Sequence, residues 1–158
     1  MKTIRVEEVY RLHNASTASI PEDVSLEYVI DRFACEPGIR GFFLVDSGKR
    51  LSGMLTRDDL MRWAYIQFFD QRSGHNVTIS DFFRIADAKK AKDLATNAPL
   101  SVAVKESDTV QDALEKMLRF QEDVLPVIDS ESRILGDIRL SEIMLKAIEI
   151  GKQTNGKV

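Results

Sequence analysis

The sequence has one cysteine, two histidines and no long apolar segment among its 158 residues. A single cysteine excludes an intramolecular disulfide and leaves no second thiol for a redox motif. We expect Cys35 to be a buried structural thiol, because it falls on the apolar side of a predicted helix. His13 and His75 have no cysteine, histidine or carboxylate at metal-ligand spacing, so no metal site is predicted.

The sequence also lacks the features of several other functional classes. No apolar run reaches the length of a membrane span, and the N-terminus lacks the apolar stretch of a signal peptide, so we expect a cytoplasmic protein without membrane contact. The net charge of −3 and the pI near 5.5 argue against a nucleic-acid partner. The sequence shows neither a Ser/His/Asp arrangement nor a glycine-rich P-loop, so we predict a protein that is not an enzyme.

The most informative feature that is present is an internal duplication. Gly53 and Gly136 occupy matching positions 83 residues apart. Three pairs of segments match around them, namely 18–33 with 102–117, 42–46 with 125–129, and 50–61 with 133–144. A period of this length suits one small βα unit plus a connector, so we expect two copies packed about a pseudo-twofold axis. A ligand is then expected in a cleft between the copies.

Each copy has the pattern βαββα, preceded by a short lead-in helix. The expected segments of the first copy are a strand over 18–20, a helix with a stripe from Leu26 to Phe33, and strands over 42–45 and 51–55 before a closing helix. Those of the second copy are a strand over 101–104, a helix with a stripe from Val110 to Met117, and strands over 126–128 and 134–138 before the last helix. The lead-in helices are expected over 6–10 and 91–95. Asp23 or Ser25, and Ser107 or Asp108, are the expected N-caps.

These patterns divide the chain into four parts. Residues 1–62 form the first repeat with its lead-in helix, 63–90 an aromatic-rich helical connector, 91–150 the second repeat, and 151–158 a flexible, frayed tail. The connector begins with Trp63, Tyr65, Ile66, Phe68 and Phe69, which form either part of the core or a dimer interface. Ser80 is the expected cap of a second connector helix.

The best candidate for chemistry is the segment Gly53–Asp59 at a strand-to-helix junction. Gly53 lets another backbone or a flat ligand come close. Thr56 lies where the helix begins and where free N–H groups attract an anion, with Arg57 as a nearby cation. Asp59 is one turn further and can accept two hydrogen bonds from a vicinal diol such as ribose. These residues suit a nucleoside phosphate. The alternative is that Thr56 and Asp59 form only a capping box for the helix.

The two copies resemble a pair of CBS domains, a Bateman module, over about Val6 to Ile150. The resemblance rests on the repeated βαββα order, on Leu125-Pro-Val-Ile-Asp129 and on Gly53-x-x-Thr-x-x-Asp59. It implies an α/β fold made of a tandem pair of CBS repeats about a pseudo-twofold axis, and frequent homodimers. It also implies an adenine nucleotide (AMP, ADP or ATP) or S-adenosylmethionine as ligand, with no cofactor required.

The resemblance assigns a ligand-binding set to the first cleft. Threonine contacts phosphate and aspartate holds ribose in such modules, while apolar residues enclose the base. The implied ligand-binding residues are Met54, Thr56, Arg57, Asp59 and Ala18, with Leu100, Val102 and Val124 around the base.

The second copy departs from this pattern. It has Arg139 where threonine is expected, Asp137 where an apolar base contact is usual, and Glu142 at the ribose position. Arg139 either pairs with a phosphate, helped by Arg40, or forms an ion pair with Glu142 on an empty site.

The sequence therefore leaves two candidate functions. The first is a stand-alone regulatory module that binds an adenosyl ligand and acts on an effector protein of unknown identity or through its own dimer. The second is a structural or dimerisation scaffold of the same fold without a ligand.

Overall fold

The computed structural model describes residues 3–10, 19–69, 78–95 and 99–156. The elements are α1 (Glu7–Tyr10), β1 (Ser19–Pro21), α2 (Leu26–Cys35), β2 (Gly41–Val45), β3 (Leu51–Thr56), α3 (Arg57–Phe69), α4 (Ile79–Ala86), α5 (Ala91–Leu94), α6 (Pro99–Val102), β4 (Val104–Lys105), α7 (Val110–Phe120), β5 (Val124–Ile128), β6 (Ile134–Arg139) and α8 (Leu140–Asn155). The βαββα order occurs twice, which confirms the predicted tandem α/β fold.

Each copy forms a three-stranded sheet of the same topology. The orders are β1-β2-β3 and β4-β5-β6, with the first pair parallel and the second antiparallel in both sheets. The antiparallel register shifts between Leu44 and Val45 in the first copy, and between Val127 and Ile128 in the second. Because a shift of one residue would turn the side chains to the other face, its recurrence at the same place indicates that both copies keep one packing pattern.

The turn between the two antiparallel strands is also the same in both copies. Asp46 Oδ1 accepts hydrogen bonds from the backbone N–H groups two and four residues on, at 2.8 and 3.0 Å. Asp129 Oδ1 does the same at 2.8 and 2.9 Å. The aspartates thus close turns in which Lys49 and Ser132 have positive φ, at 61° and 64°.

The first helix of each copy buries the apolar stripe that its spacing predicts. Leu26 and Val29 are buried on α2, and Ala113 and Met117 are buried on α7. Ser25 is the N-cap of α2, as expected, and its side chain accepts the Tyr28 N–H.

Two other predicted caps are wrong. Thr109, rather than Ser107 or Asp108, caps α7, because Asp108 accepts a hydrogen bond in the turn before the helix. Thr78, rather than Ser80, caps α4. In both cases the correct residue is a threonine with an aspartate three positions on, which is the capping-box spacing.

The predicted strand over 101–104 is mostly wrong. Pro99–Val102 forms one helical turn, and only Val104–Lys105 pairs with β5. Proline suits the first turn of a helix, since its missing N–H would have no partner there.

Two further expectations differ from the structure. Cys35 is exposed, because it is the last residue of α2 and lies beyond the buried stripe. At the C-terminus, α8 continues to Asn155, so the first part of the predicted tail is helical. The Thr154 hydroxyl donates to the Ile150 carbonyl at 2.9 Å within this extension.

The described chain forms two compact units, and each unit contains one repeat together with one lead-in helix. One unit contains the described residues of Ala18–Pro99, and the other contains those of Met1–Thr17 and Leu100–Val158. Helix α5 packs on β3 in the first of these units, and α1 packs on β6 and α8 in the second. Each repeat is therefore completed by the lead-in helix that precedes the other repeat in the sequence. The domain boundaries expected from the sequence at residues 62, 90 and 150 stay a prediction.

The close approach of each lead-in segment explains the matching glycines. A Cβ at Gly53 would lie 3.0 Å from Ala95 Cβ, and one at Gly136 would lie 3.3 Å from Tyr10 Cε2. Within its unit, the space beside Gly53 is thus taken by the packed side chain of Ala95. This packing stands where a ligand was expected to come close.

The aromatic cluster of the connector is divided between core and surface. Ile66 is buried and Trp63 packs partly buried against the same apolar core. Phe68 and Phe69 are 82% and 59% exposed. Core packing therefore accounts for one side of α3 only.

We expect Gly53→Ala to destabilise the protein by about 1–3 kcal/mol, because the added methyl group overpacks the β3–α5 contact. The change is measured as the free energy of unfolding in urea. Gly38→Ala is the matched control, since a Cβ there would meet nothing within 4 Å. Equal stability of the two variants would contradict this account of the glycine.

Candidate ligand-binding site

The candidate site begins where β3 passes directly into α3. Thr56 is the last residue of the strand and Arg57 is the first of the helix. The Thr56 N–H and hydroxyl both donate to Asp59 Oδ2 at 2.9 Å, and the Asp59 N–H donates to Thr56 Oγ1 at 3.2 Å. This is the reciprocal capping box that the sequence left open as the alternative.

The same Thr-x-x-Asp box occurs at two other helices, which sequence analysis missed although the spacing is visible. Thr109 and Asp112 make the same three hydrogen bonds at the start of α7. Thr78 and Asp81 make two of them at α4. The box alone is therefore an ordinary cap in this chain, and a ligand site needs a further distinguishing property.

Burial and charge distinguish Asp59 from the equivalent Asp112. Burial raises the pKa of Asp59, although its hydrogen bonds from Thr56 oppose the rise. By contrast, hydrogen bonds from Thr109 lower the pKa of Asp112, which is exposed. The Asp59 carboxylate thus carries a desolvation cost that a plain cap does not need.

One oxygen of the Asp59 carboxylate is left for another donor. Both hydrogen bonds from Thr56 go to Oδ2. Within the described part of the chain, Oδ1 makes no hydrogen bond, and Arg62 pairs with Asp58 instead. A partly buried carboxylate oxygen beside a helix N-terminus can accept hydroxyl groups of a bound molecule.

The other predicted residues of the first repeat surround this junction to different degrees. Met54 is buried and lies two residues before Thr56, on the same face of β3. Arg57 is exposed at the first position of α3, and Arg40 is exposed in the segment before β2. The structure therefore brings together Met54, Thr56, Arg57 and Asp59 at one end of the sheet.

The remaining predicted base contacts belong to the other unit. Leu100 is exposed and Val102 is buried on α6. Val124 begins β5 and pairs in register with Arg139. That these residues share a ligand with the first repeat stays a prediction.

The charged residues of the second repeat are arranged differently from the expected Arg139–Glu142 ion pair. Arg139 Nε lies 3.4 Å from Asp137 Oδ1, so the guanidinium pairs with Asp137. Glu142 Oε2 instead accepts the Arg139 backbone N–H at 2.9 Å. The signal that could have found this pair is the spacing, because residues two apart on a strand share a face.

Several expectations concern residues that lie outside those described, namely Ala18, His13 and His75. Among residues 3–10, 19–69, 78–95 and 99–156, no three His, Cys, Asp or Glu side chains group as metal ligands would. None of the helices in these ranges is long and apolar enough to cross a membrane.

Comparison with known proteins identifies relatives of this architecture. The family model for the CBS domain matches residues 6–65 and 91–149, one match for each repeat. A search of curated proteins found no match.

Solved structures share the fold over nearly the whole chain. A CBS domain-containing protein from Thermotoga maritima has a TM-score of 0.73 at 23% identity, covering 92% of this chain and 95% of that one. A CBS domain protein from Pyrobaculum aerophilum complexed with AMP has a TM-score of 0.66 at 19% identity, covering 96% and 99%. A CBS domain pair in complex with 5′-methylthioadenosine and S-adenosyl-L-methionine has a TM-score of 0.66 at 15% identity, covering 96% and 99%.

The opposite pKa directions of Asp59 and Asp112 predict opposite effects of pH on two matched variants. An aspartate whose folded pKa is raised stabilises the fold most below its ordinary, unfolded pKa of 3.8, and loses that contribution as pH rises through its folded pKa. The stability of the wild type relative to Asp59→Asn should therefore fall between pH 3 and pH 7.

Asp112→Asn supplies the control of opposite sign. Its folded pKa is lowered, so its contribution is present above the unfolded pKa and is lost as pH falls through the folded pKa. The stability of the wild type relative to this variant should rise from pH 3 to pH 7, as measured by urea unfolding. The same trend in both variants would show that the two boxes do not differ electrostatically.

Proposed function

Because the chain belongs to the CBS domain family, we propose that it is a regulatory module that binds an adenine nucleotide or related adenosyl compound. AMP, ADP, ATP and S-adenosylmethionine are the candidate ligands. The proposed site is the β3–α3 junction of the first repeat. A partner protein or a second copy of the chain receives the signal.

The observation that carries this proposal is the partly buried carboxylate of Asp59. Its Oδ1 is left for the vicinal hydroxyls of a ribose, which donate hydrogen bonds that a carboxylate accepts. Binding there also returns hydrogen bonds to a group whose burial raises its pKa.

The phosphate end of the ligand is assigned to the start of α3. The first N–H groups of a helix have no partner within the helix, and the helix dipole favours negative charge there. Arg57 contributes an exposed cation at this end, and the Thr56 hydroxyl contributes a hydrogen bond when its proton turns from Asp59 to the phosphate. Met54 is the apolar neighbour on the strand and is assigned to the base.

The ligand class is supported by two of the related structures. One was solved with AMP and another with 5′-methylthioadenosine and S-adenosylmethionine. The adenosyl group is common to all three compounds, whereas the phosphate is not. The proposal therefore commits to the adenosyl group, and no cofactor or catalytic step is included in it.

A ligand-free scaffold is the second candidate, and one observation favours it. The Thr56–Asp59 box is complete without any other group, like the box at Thr109 and Asp112. A scaffold of this kind would need the cap and would not need the open oxygen of Asp59.

A second copy of the chain is a proposed partner for the regulatory module and for the ligand-free scaffold alike. Helix α8 leaves an apolar face exposed, formed by Leu140, Met144, Leu145 and Ile148. These positions recur at helical spacing, so they form one stripe. An apolar stripe on a helix with charged flanks is suited to packing against the same stripe of another copy.

We expect Asp59→Ala to weaken binding of the preferred adenosyl compound by about 1–3 kcal/mol, roughly 5- to 150-fold in Kd, because the ribose acceptor is lost. Isothermal titration calorimetry measures the change. Asp112→Ala is the matched control, since it removes an equivalent capping carboxylate from α7.

The two variants separate the candidate functions. Both should lose stability through the lost cap, but only Asp59→Ala should lose affinity. Unchanged affinity in Asp59→Ala, or an equal loss in Asp112→Ala, would contradict the assignment of Asp59 to the ligand.

Met144→Asp should shift sedimentation toward the monomer, because it places a charge in the exposed stripe of α8. Met144 is 59% exposed, so the substitution should leave the fold intact, as far-UV circular dichroism would check. Gln153→Asp, at an exposed position of the same helix, adds the same single negative charge and is the control. An unchanged sedimentation coefficient in Met144→Asp would remove α8 from the dimer interface.

A further inference from the structure

The two repeats differ in where the parallel strand pairing of their sheets begins. Strand β1 pairs with β2 over three residues, beginning at Ser19. Strand β4 pairs with β5 over only two, beginning at Val104. The segments 18–33 and 102–117 match, so the counterpart of Ser19 is Ala103, which lies just before the paired residues of β4. The pairing of the second repeat therefore starts one residue later than that of the first.

A proline on β5 explains the shorter pairing. Val104 pairs with Val127, so the same parallel register would place Ala103 opposite Pro126. Proline has no backbone N–H and cannot donate a hydrogen bond to a neighbouring strand. The matching position of β2 is Phe43, which has an N–H and is paired. The second repeat thus lacks the strand pairing that holds this residue in the first.

A lysine of α7 holds Ala103 instead. The Lys116 ammonium donates to the Ala103 carbonyl at 2.5 Å. Ala103 is buried and the lysine is half-buried, so the aliphatic stem lies along the protein while its charged end reaches the backbone. A hydrogen bond from a charged donor is stronger than one between neutral groups. Lys116 therefore replaces the missing strand pairing as the tether of Ala103.

The tether is the one hydrogen bond of the Lys116 side chain within the described part of the chain, and the first repeat has no counterpart of it. Asp112 lies one turn before Lys116, but its Oδ2 accepts hydrogen bonds from Thr109, and the two side chains form no ion pair among the described residues. The residue of the first repeat that matches Lys116 is Arg32, which pairs with Glu36 on its own helix at 2.9 Å. The lysine is thus committed to the backbone, whereas its counterpart is committed to a surface ion pair.

The tethered residue follows directly on α6, which carries two of the predicted base contacts. Leu100 is exposed and Val102 is buried, and Ala103 is the next residue in the chain. Helix α6 is a single turn, and one turn of helix is not stable by itself. The position of Val102 therefore depends on what holds the residue after it.

We propose that Lys116 is a positioning residue for the base end of the adenosyl ligand. Through the Ala103 carbonyl it holds Leu100 and Val102 in the arrangement that encloses the adenine. The ammonium does not touch the ligand. The inference rests on the proposed function for the ligand, and on the predicted role of Leu100 and Val102 as base contacts.

The first test needs no ligand and measures amide hydrogen exchange of the full chain by NMR. Lys116→Met keeps the length of the stem and removes the donors, so the amides of residues 102–104 should exchange several-fold faster than in wild type. Lys116→Arg keeps a cation with N–H donors and should restore slow exchange. Lys146→Met is the control, because it removes a lysine of the same unit whose ion pair with Glu149 lies on α8. Unchanged exchange in Lys116→Met would overturn the proposal.

The second test compares AMP with ribose 5-phosphate, which shares the sugar and the phosphate and lacks the base. Lys116→Met should weaken AMP by roughly 3- to 30-fold in Kd, the range of substitutions that act on a ligand through other residues. The affinity for ribose 5-phosphate should stay unchanged, as NMR titration at the Thr56 and Asp59 amides would measure. Lys116→Arg should recover the affinity for AMP. Equal losses for the two compounds, or no loss for either, would contradict a role at the base.

Failure of this inference and failure of the proposed function give different results. Wild type that does not bind AMP contradicts the proposed function. Wild type that binds AMP with an affinity that Lys116→Met leaves unchanged contradicts only the role of Lys116. Asp59→Ala should leave the exchange of residues 102–104 unchanged, because it alters a ligand contact in the first repeat and not the tether.

Discussion

One hydrogen bond recurs where each sheet passes into its closing helix, and the candidate site of the first repeat depends on it. Asp59 Oδ2 accepts the Thr56 N–H at 2.9 Å, and Glu142 Oε2 accepts the Arg139 N–H at 2.9 Å. In each repeat an acid in the first turn thus holds the last residue of the strand. This bond ties the first turn of the helix to the last residue of the strand. It also places a carboxylate beside the N–H groups of the helix, where an anionic or hydroxylated ligand can be held.

The two repeats use this common frame for different chemistry. The first has Met54 and Thr56 on the face of the strand, which gives an apolar side chain and a hydroxyl. The second has Asp137 and Arg139 at the same positions, which gives a loose internal ion pair. Duplication preserved the bulges, the turns and the glycines, because each is required by backbone packing. The side chains at the junction were free to differ, so the two junctions present different chemical groups.

The fold could be predicted from sequence because its signals are local and occur twice. Helical stripes and short apolar strands follow from spacing alone. Expectations failed where the outcome depended on contacts between distant segments or on the competition between neighbouring caps. The exposure of Cys35 depends on where α2 ends, and the helical turn at Pro99 replaced a strand that the matching copy suggested.

The candidate site was only partly visible in the sequence. The spacing of Thr56 and Asp59 predicts their contact, yet the same spacing at Thr109 and Asp112 gives an ordinary cap. What separates the two is burial, which requires the folded structure. The partner of Arg139 was missed because the acid at Glu142 matched the first repeat, whereas Asp137 did not.

The central claim is that the chain binds an adenosyl compound, and a thermal-shift panel tests it most directly. The panel contains AMP, ADP, ATP, S-adenosylmethionine, GMP and GTP, each added to the purified protein over a range of concentrations. A ligand that binds only the folded state at 100 times its Kd adds about 2.7 kcal/mol to the free energy of unfolding, which raises the Tm. The account predicts a saturable rise with at least one adenosyl compound and none with the guanine nucleotides. No rise with any adenosyl compound would contradict it and leave the scaffold as the function of the fold.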